Sequence, residues 1–260
     1  MRVTYPDYID SLTGSNITAS SALTDYPAVN VTDQRLSTLW KTDASTTQSI
    51  VFDLGSALPV TVIAVLGHNL IYSTVINVYA NTSNSWGSPA YSTTLTWNKD
   101  IILKYITSVS YQYWKIEFVG QGNLEIGRIW LSNYLTINPS SLLDFTVELK
   151  NSDVNLYDKD RYKISEAGIV WRAIKLKFPP TDNTMLTNLL DWFDMVGLYR
   201  SFIFCNFDTI RGYPLVEPLY CSIVSDVGFT HSESMKFSYE LSLEEDKDRK
   251  STRLNSSHRL

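Results

Sequence analysis

Four side chains in the first half of the chain, His68, Asn69, Tyr72 and Trp86, have the chemistry to hold a sugar. Sugar faces stack on aromatic rings, while amides and imidazoles hydrogen-bond the hydroxyls. Trp86 stands in the turn-forming stretch Asn84-Ser85-Trp86-Gly87-Ser88, from which it can project or fold back on its own domain. His68 could be read as a catalytic base, but no Ser or Cys nucleophile motif accompanies it, and a strand-end His that hydrogen-bonds locally is the ordinary alternative. No Gly-rich phosphate loop, G-x-S-x-G, H-E-x-x-H or C-x-x-C occurs. The carboxylate pairs Asp158/Asp160 and Glu244/Glu245 have the composition of a glycosidase pair, yet in polar loops or at a strand end solvated charge is their usual role. The chemistry on offer is binding, and the chain is expected not to be an enzyme.

The elements that position these residues follow from composition and period. Charged residues are only 19% of the 260 while Tyr (16) and Trp (7) are plentiful, which suits half-exposed strands better than surface helices. A formal charge of -5 argues against nucleic acid, which needs clustered Lys and Arg. No apolar run approaches the roughly 20 residues that cross a bilayer, so no membrane insertion is expected, and no secretory leader is visible at Met1. Cys205 and Cys221 form neither a disulfide framework nor a metal spacing; they are expected as two buried thiols on neighbouring strands.

Strand-like runs at Ser49–Leu54, Val60–Leu66, Val75–Tyr79, Tyr91–Trp97, Tyr113–Val119 and Glu125–Leu131 are separated by Gly, Asn, Ser and Pro clusters, the spacing of a β-sandwich. Alternation in Tyr113–Phe118 sets Trp114, Ile116 and Phe118 on one face, so Trp114, with Trp40 and Trp130, is read as packing. Asn138-Pro139-Ser140-Ser141 is a natural link, giving domains 1–138 and 139–247. In the second, Gly168–Phe178 reads as a long strand stopped by Pro179-Pro180. Thr181 or Asp182 then caps an amphipathic helix at about 182–196, whose apolar Met185, Leu189, Trp192, Phe193 and Val196 share a face and which Gly197 ends. Strands resume at Ser201–Asn206, Leu219–Val224 and Lys236–Glu244. The fold class expected is mainly β: a sandwich followed by an α+β, mostly strand domain with one helix. The stretch 248–260 is polar, basic and without period, and one codon choice for it spells a common sequencing adapter, so it is read as an artefact.

Asn30-Val31-Thr32-Asp33, Thr38-Leu39-Trp40, Ile50-Val51-Phe52-Asp53-Leu54-Gly55 and the closing Glu125-Ile126-Gly127-Arg128-Ile129-Trp130 stand in the order seen in discoidin-like (coagulation factor 5/8 type C) domains, which the chain resembles over about 20–131. The resemblance implies a galactose-binding-like jelly roll. It also implies a structural Ca²⁺ held by Asp33, Thr38 and Glu125, hard oxygen ligands that suit this ion, although Asp33 can equally be a turn-capping carboxylate. Val62-Ile63-Ala64-Val65-Leu66-Gly67-His68-Asn69-Leu70 resembles the version of this domain in tailed-phage virion proteins, and the element order of the second half resembles tail-tube and distal-tail proteins. Together they imply a phage or prophage tail protein, made in the host bacterial cytoplasm and assembled into the virion as a homo-oligomer. Its partners would be other tail proteins and a host-surface glycan. The alternative is a carbohydrate-binding module of a secreted bacterial protein.

Overall fold

From Gln48 to Leu54 every second side chain is buried, and Phe52 and Ile50 are fully enclosed. A period of two with one apolar face is what a strand needs to lie over a core. The computed structural model describes residues 1–137, 144–152, 154–157, 163–166, 168–181, 183–205, 218–225, 227–233 and 236–246. It divides into two units, Val3–Leu135 and Thr136 onward together with Met1–Arg2, a division three residues before the one expected from the Pro-Ser link. That link itself, with Asp158, Asp160, Asp182 and 248–260, lies outside the described residues.

The first unit is built from β1 (Arg2–Thr4), β2 (Ile17–Ala19), β3 (Trp40–Lys41), β4 (Thr47–His68), β5 (Val75–Asn81), β6 (Tyr91–Leu95), β7 (Ile101–Val119), β8 (Glu125–Ser132) and β9 (Tyr134–Thr136). Strands β3 to β8 form one antiparallel sheet in the order β3-β8-β4-β7-β5-β6, with β2 on β4. The long β4 and β7 pair with each other along their lengths, and their register shifts between Asp53 and Leu58 and between Val60 and Val62. On one side of these shifts β4 residues 47–53 and β7 residues 113–119 lie with β2, β5 and β6; on the other, β4 residues 62–68 and β7 residues 101–105 lie with β8 and β3. One bent sheet thus makes both layers of a β-sandwich, as bulges allow. Gly55, with φ of 74°, supplies at the bend a left-handed backbone that other residues rarely adopt. The expected runs Ser49–Leu54 and Val60–Leu66 are therefore the two halves of β4, and 101–110, not read as strand from the sequence, is the first half of β7.

Trp40 and Trp114 are fully buried in the core between the layers, with Ile50, Phe52, Val78, Ile116 and Phe118; Trp130 is fully buried as well. Each large apolar side chain so placed stabilises by roughly 1.5–3 kcal/mol over leaving it in water. Arg128 is buried without exposed surface and pairs with the Asp7 carboxylate at 3.6 Å and with Asp10, while its guanidinium lies 4.6 Å from the Trp130 ring centre. Asp7 also accepts from the Leu131 N–H at 2.9 Å, so this ion cluster fastens the chain's start to β8. Breaking such a pair from one side costs on the order of 3–5 kcal/mol, because the other charge is left enclosed.

The second unit has β10 (Asp144–Asn151), β11 (Val154–Tyr157), β12 (Lys163–Glu166), β13 (Val170–Thr181), helix α1 (Asn183–Val196), β14 (Phe202–Cys205), β15 (Leu219–Ile223), β16 (Phe229–Glu233) and β17 (Lys236–Glu245). Its strands run β10-β13-β17-β15-β14, with β16 along β17 and β11-β12 as a separate hairpin. The expected helix is present one residue shorter, buries Leu189, Trp192 and Val196, and ends where the Gly197 N–H bonds to the Phe193 carbonyl at 2.7 Å. Trp192 meets Phe202 edge to face at 4.9 Å. Pro179-Pro180 does not stop β13, which continues to Thr181; the prolines, lacking N–H, instead coincide with a register shift against β17. Cys205 and Cys221 are buried on the paired strands β14 and β15, as expected, and burial raises the Cys221 thiol well above its ordinary range. Among the described residues no helix is long and apolar enough to cross a membrane.

Candidate functional site

Three loops meet at one end of the first sandwich because the strands that flank them are paired. Val75 opens β5 opposite Val119, the last residue of β7, and Leu66 near the end of β4 lies opposite Ile101, the first of β7. The loops 69–74, 96–100 and 120–124 are therefore neighbours. Tyr72, at the tip of the first, is 81% exposed, and its ring meets Trp97 from the second edge to face, centres 6.4 Å apart. Trp97 is half-buried against the core, and its indole N–H donates to the Leu70 carbonyl at 2.8 Å. An exposed ring backed by an anchored one is a firm apolar platform of the kind a sugar face stacks on.

What holds the Tyr72 loop is a set of amides. The Asn69 side chain donates to the Asn123 carbonyl at 3.0 Å and accepts from the Glu125 N–H at 2.9 Å. Gln121 accepts from the Ile71 N–H at 2.9 Å and the Thr74 hydroxyl at 2.7 Å, and donates to the Asn69 carbonyl at 3.0 Å. Asn69 thus holds the chain's own backbone with one donor and one acceptor, a positioning role, while its exposed amide keeps a second N–H and a second lone pair. His68 is half-buried, and its Nδ1 accepts from the Leu70 N–H at 3.2 Å, which requires that nitrogen unprotonated. Burial lowers the His68 pKa, against the opposing pull of the Asn98 backbone and the Asp100 carboxylate. The imidazole therefore props the loop, in line with the local hydrogen bond weighed from the sequence.

Trp86 lies elsewhere. It follows β5 whereas Tyr72 precedes it, and seven residues of strand at about 3.3 Å each put roughly 20 Å between the two ends. Its indole N–H donates to the Asn84 side chain at 2.8 Å, and the other loop bonds are equally local: Asn81 to the Ser85 carbonyl at 2.8 Å and the Ser85 N–H to the Ser83 carbonyl at 2.7 Å. The ring is only half-exposed. Of the four residues singled out for glycan, the structure gathers His68, Asn69 and Tyr72 and leaves Trp86 apart.

The residues expected to hold calcium are already occupied. Asp33 accepts from the Arg35 backbone N–H at 2.8 Å and from its guanidinium at 2.7 and 3.1 Å, with a further bond to the Thr38 side chain. Arg35 holds the Asp33 carboxyl below its ordinary range. Glu125 is paired with Lys41 at 2.6 Å. Among the described residues no group of three or more His, Cys, Asp or Glu side chains is arranged for a metal ion. Bonded in this way to the Arg35 backbone and guanidinium, the Asp33 carboxylate caps its own turn. Glu244 and Glu245 are likewise engaged, with Lys150 and the Trp171 indole and with Arg172 at 2.8 Å; with Asp246 they line one open hollow beside Trp171 and Ser222.

Trp97 and Gln121 were not singled out from the sequence. Trp97 carried a signal, since Tyr91, Thr93, Leu95 and Trp97 alternate inward to a strand end; Gln121, between two glycines, carried none.

No family model matches the sequence, and no curated protein matches it. Solved structures resemble part of the chain. A chitosan-binding module from a chitosanase/glucanase of Paenibacillus sp. IK-5 is 20% identical, covers 50% of this chain and 100% of its own, and superposes with a TM-score of 0.41. A fucose-binding module of Streptococcus pneumoniae is 9% identical over 50% of this chain and 96% of its own, TM-score 0.42. The family 32 carbohydrate-binding module of C. perfringens NanJ, solved with galactose, is 23% identical over 52% and 100%, TM-score 0.38.

Proposed function

We propose that this protein is a non-enzymatic binding and structural protein whose first unit contacts carbohydrate through the loop end around Tyr72. The observation that carries this reading is the 81% exposed Tyr72 ring, standing on Trp97 in a loop pinned by Gln121 and Asn69. A ring left in water at that level, yet fixed in orientation, has lost the freedom that binding would otherwise have to remove. Galactose, fucose and chitosan oligomers are the probes. Titration of the full chain should show saturable binding of at least one, while a flat response to all of them and to an array of bacterial surface glycans would overturn the reading.

The setting proposed is a phage or prophage tail particle, with the second unit docking on other tail proteins and the glycan on the host surface. The ordered likeness of both halves to tail proteins supports it. Tail-tube, tape-measure or baseplate genes beside this one would agree; a polysaccharide-degradation cluster would favour the module of a secreted protein.

A further inference from the structure

Strand β10 ends its sheet: it is bonded to β13 on one side and, among the described residues, has no strand on the other. An edge of this kind offers unpaired N–H and C=O groups to another strand, and proteins blunt it with prolines, bulges, short length or edge charges. Asp144–Asn151 contains no proline and pairs with β13 without a register shift; its edge charges are Glu148 and Lys150, each already paired within its own sheet.

The side chains add a second signal. The register sets Val147 beside Ile174 and Leu149 beside Arg172, on the face to which the buried Ile174 and Leu176 belong. Yet Leu149 is 75% exposed and Val147 is exposed as well. Among the described residues, the sheet's apolar face therefore runs on uncovered to the edge. The opposite face of the same strand is charged, with Glu148 paired to Lys175 at 3.2 Å and Lys150 paired to Glu244.

We propose that β10 pairs antiparallel with β10 of a second copy of this chain, about a two-fold axis through Leu149. In that register Leu149 faces its own copy, and each Lys150 stands opposite the second copy's Glu148. The row then reads Glu244, Lys150, then the second copy's Glu148 and Lys175, alternating in sign at every step. A two-fold through Glu148 would instead set that carboxylate against itself, and like charges directly opposite destabilise a sheet. One closed pairing covers both edges and both leucines, which is the economy of an isologous interface. The inference is independent of the glycan reading.

The test uses the full chain. Sedimentation across concentration should show a monomer–dimer equilibrium, and Leu149→Lys, tolerated at so exposed a position, should raise the dissociation midpoint at least about tenfold. Leu149→Cys should cross-link to its copy under a mild oxidant much faster than Val147→Cys, whose position faces Asn151; the native Cys205 and Cys221 are buried and silent. A chain that is monomeric at every concentration, or a dimer whose midpoint Leu149→Lys leaves unchanged, would overturn the proposal.

Discussion

Tyr72 and Trp86 stand at opposite ends of β5, each an aromatic ring on a surface loop, and the two loops are held in different ways. Around Tyr72 the bonds are long-range, joining residues about fifty apart in sequence: Gln121 to Ile71, Asn69 to Asn123 and to Glu125. Around Trp86 they join residues at most five apart. A loop closed only on itself fixes its shape weakly relative to the sandwich, whereas one tied to a second loop inherits the rigidity of both strands behind it. On the proposed reading, this second kind of hold is what sets the Tyr72 ring apart, and residue type and exposure alone do not report it.

The largest expected effect comes from cutting the ties. Gln121→Ala removes the partners of the Ile71 N–H, the Thr74 hydroxyl and the Asn69 carbonyl, and should lower unfolding free energy in urea by about 1–3 kcal/mol while weakening any carbohydrate binding. The matching cut at the other end, Asn84→Ala, should stay within about 0.5 kcal/mol of wild type. Equal losses would erase the contrast between the ends.

A smaller effect should follow pH. His68 has a folded-state pKa depressed by burial, so the stability it contributes is complete above the unfolded value near 6.5 and is lost as pH falls through the folded one. Between pH 7 and pH 5 the wild type should therefore lose more stability than His68→Gln, measured by thermal melting of both. Burial pushes the Asp7 carboxyl upward, against the lowering pull of Arg128. It is common to both proteins and leaves their difference untouched. Identical pH profiles would remove His68 as the prop of the Tyr72 loop.

Much of the fold was legible in the sequence, for identifiable reasons. Alternation at Tyr113–Phe118 is a local pattern, and it placed Trp114 inside; the strand read at Lys236–Glu244 is β17. The run Ile101-Ile102-Leu103-Lys104-Tyr105 lacks alternation, and only its pairing with β4 makes it strand. The site was legible by chemistry and obscure by position. Tyr72 was found as an aromatic in a loop, but Gln121 acts through partners about fifty residues away, and no local pattern announces that. Asn69 shows the converse: its amide has a ligand's chemistry, and the fold also uses it to hold the 120–124 loop.

The smallest expected effect concerns metal. With Asp33 bonded to Arg35 and Glu125 paired with Lys41, melting curves in Ca²⁺ and in chelator should superimpose, since an ion that bound the folded state would raise stability by mass action. A calcium-dependent rise that Asp33→Ala abolishes would restore the ion to this end of the sandwich.

On the proposed reading, carbohydrate meets the Tyr72 end and leaves the Trp86 end untouched. Titrating one bound glycan into wild type, Tyr72→Ala and Trp86→Ala, each checked for an unchanged melting temperature, tests it directly. Loss of a stacking ring should weaken binding at least about tenfold in Tyr72→Ala, roughly 1.4 kcal/mol, and leave Trp86→Ala at the wild-type affinity. Binding that survives in Tyr72→Ala and disappears in Trp86→Ala would contradict it.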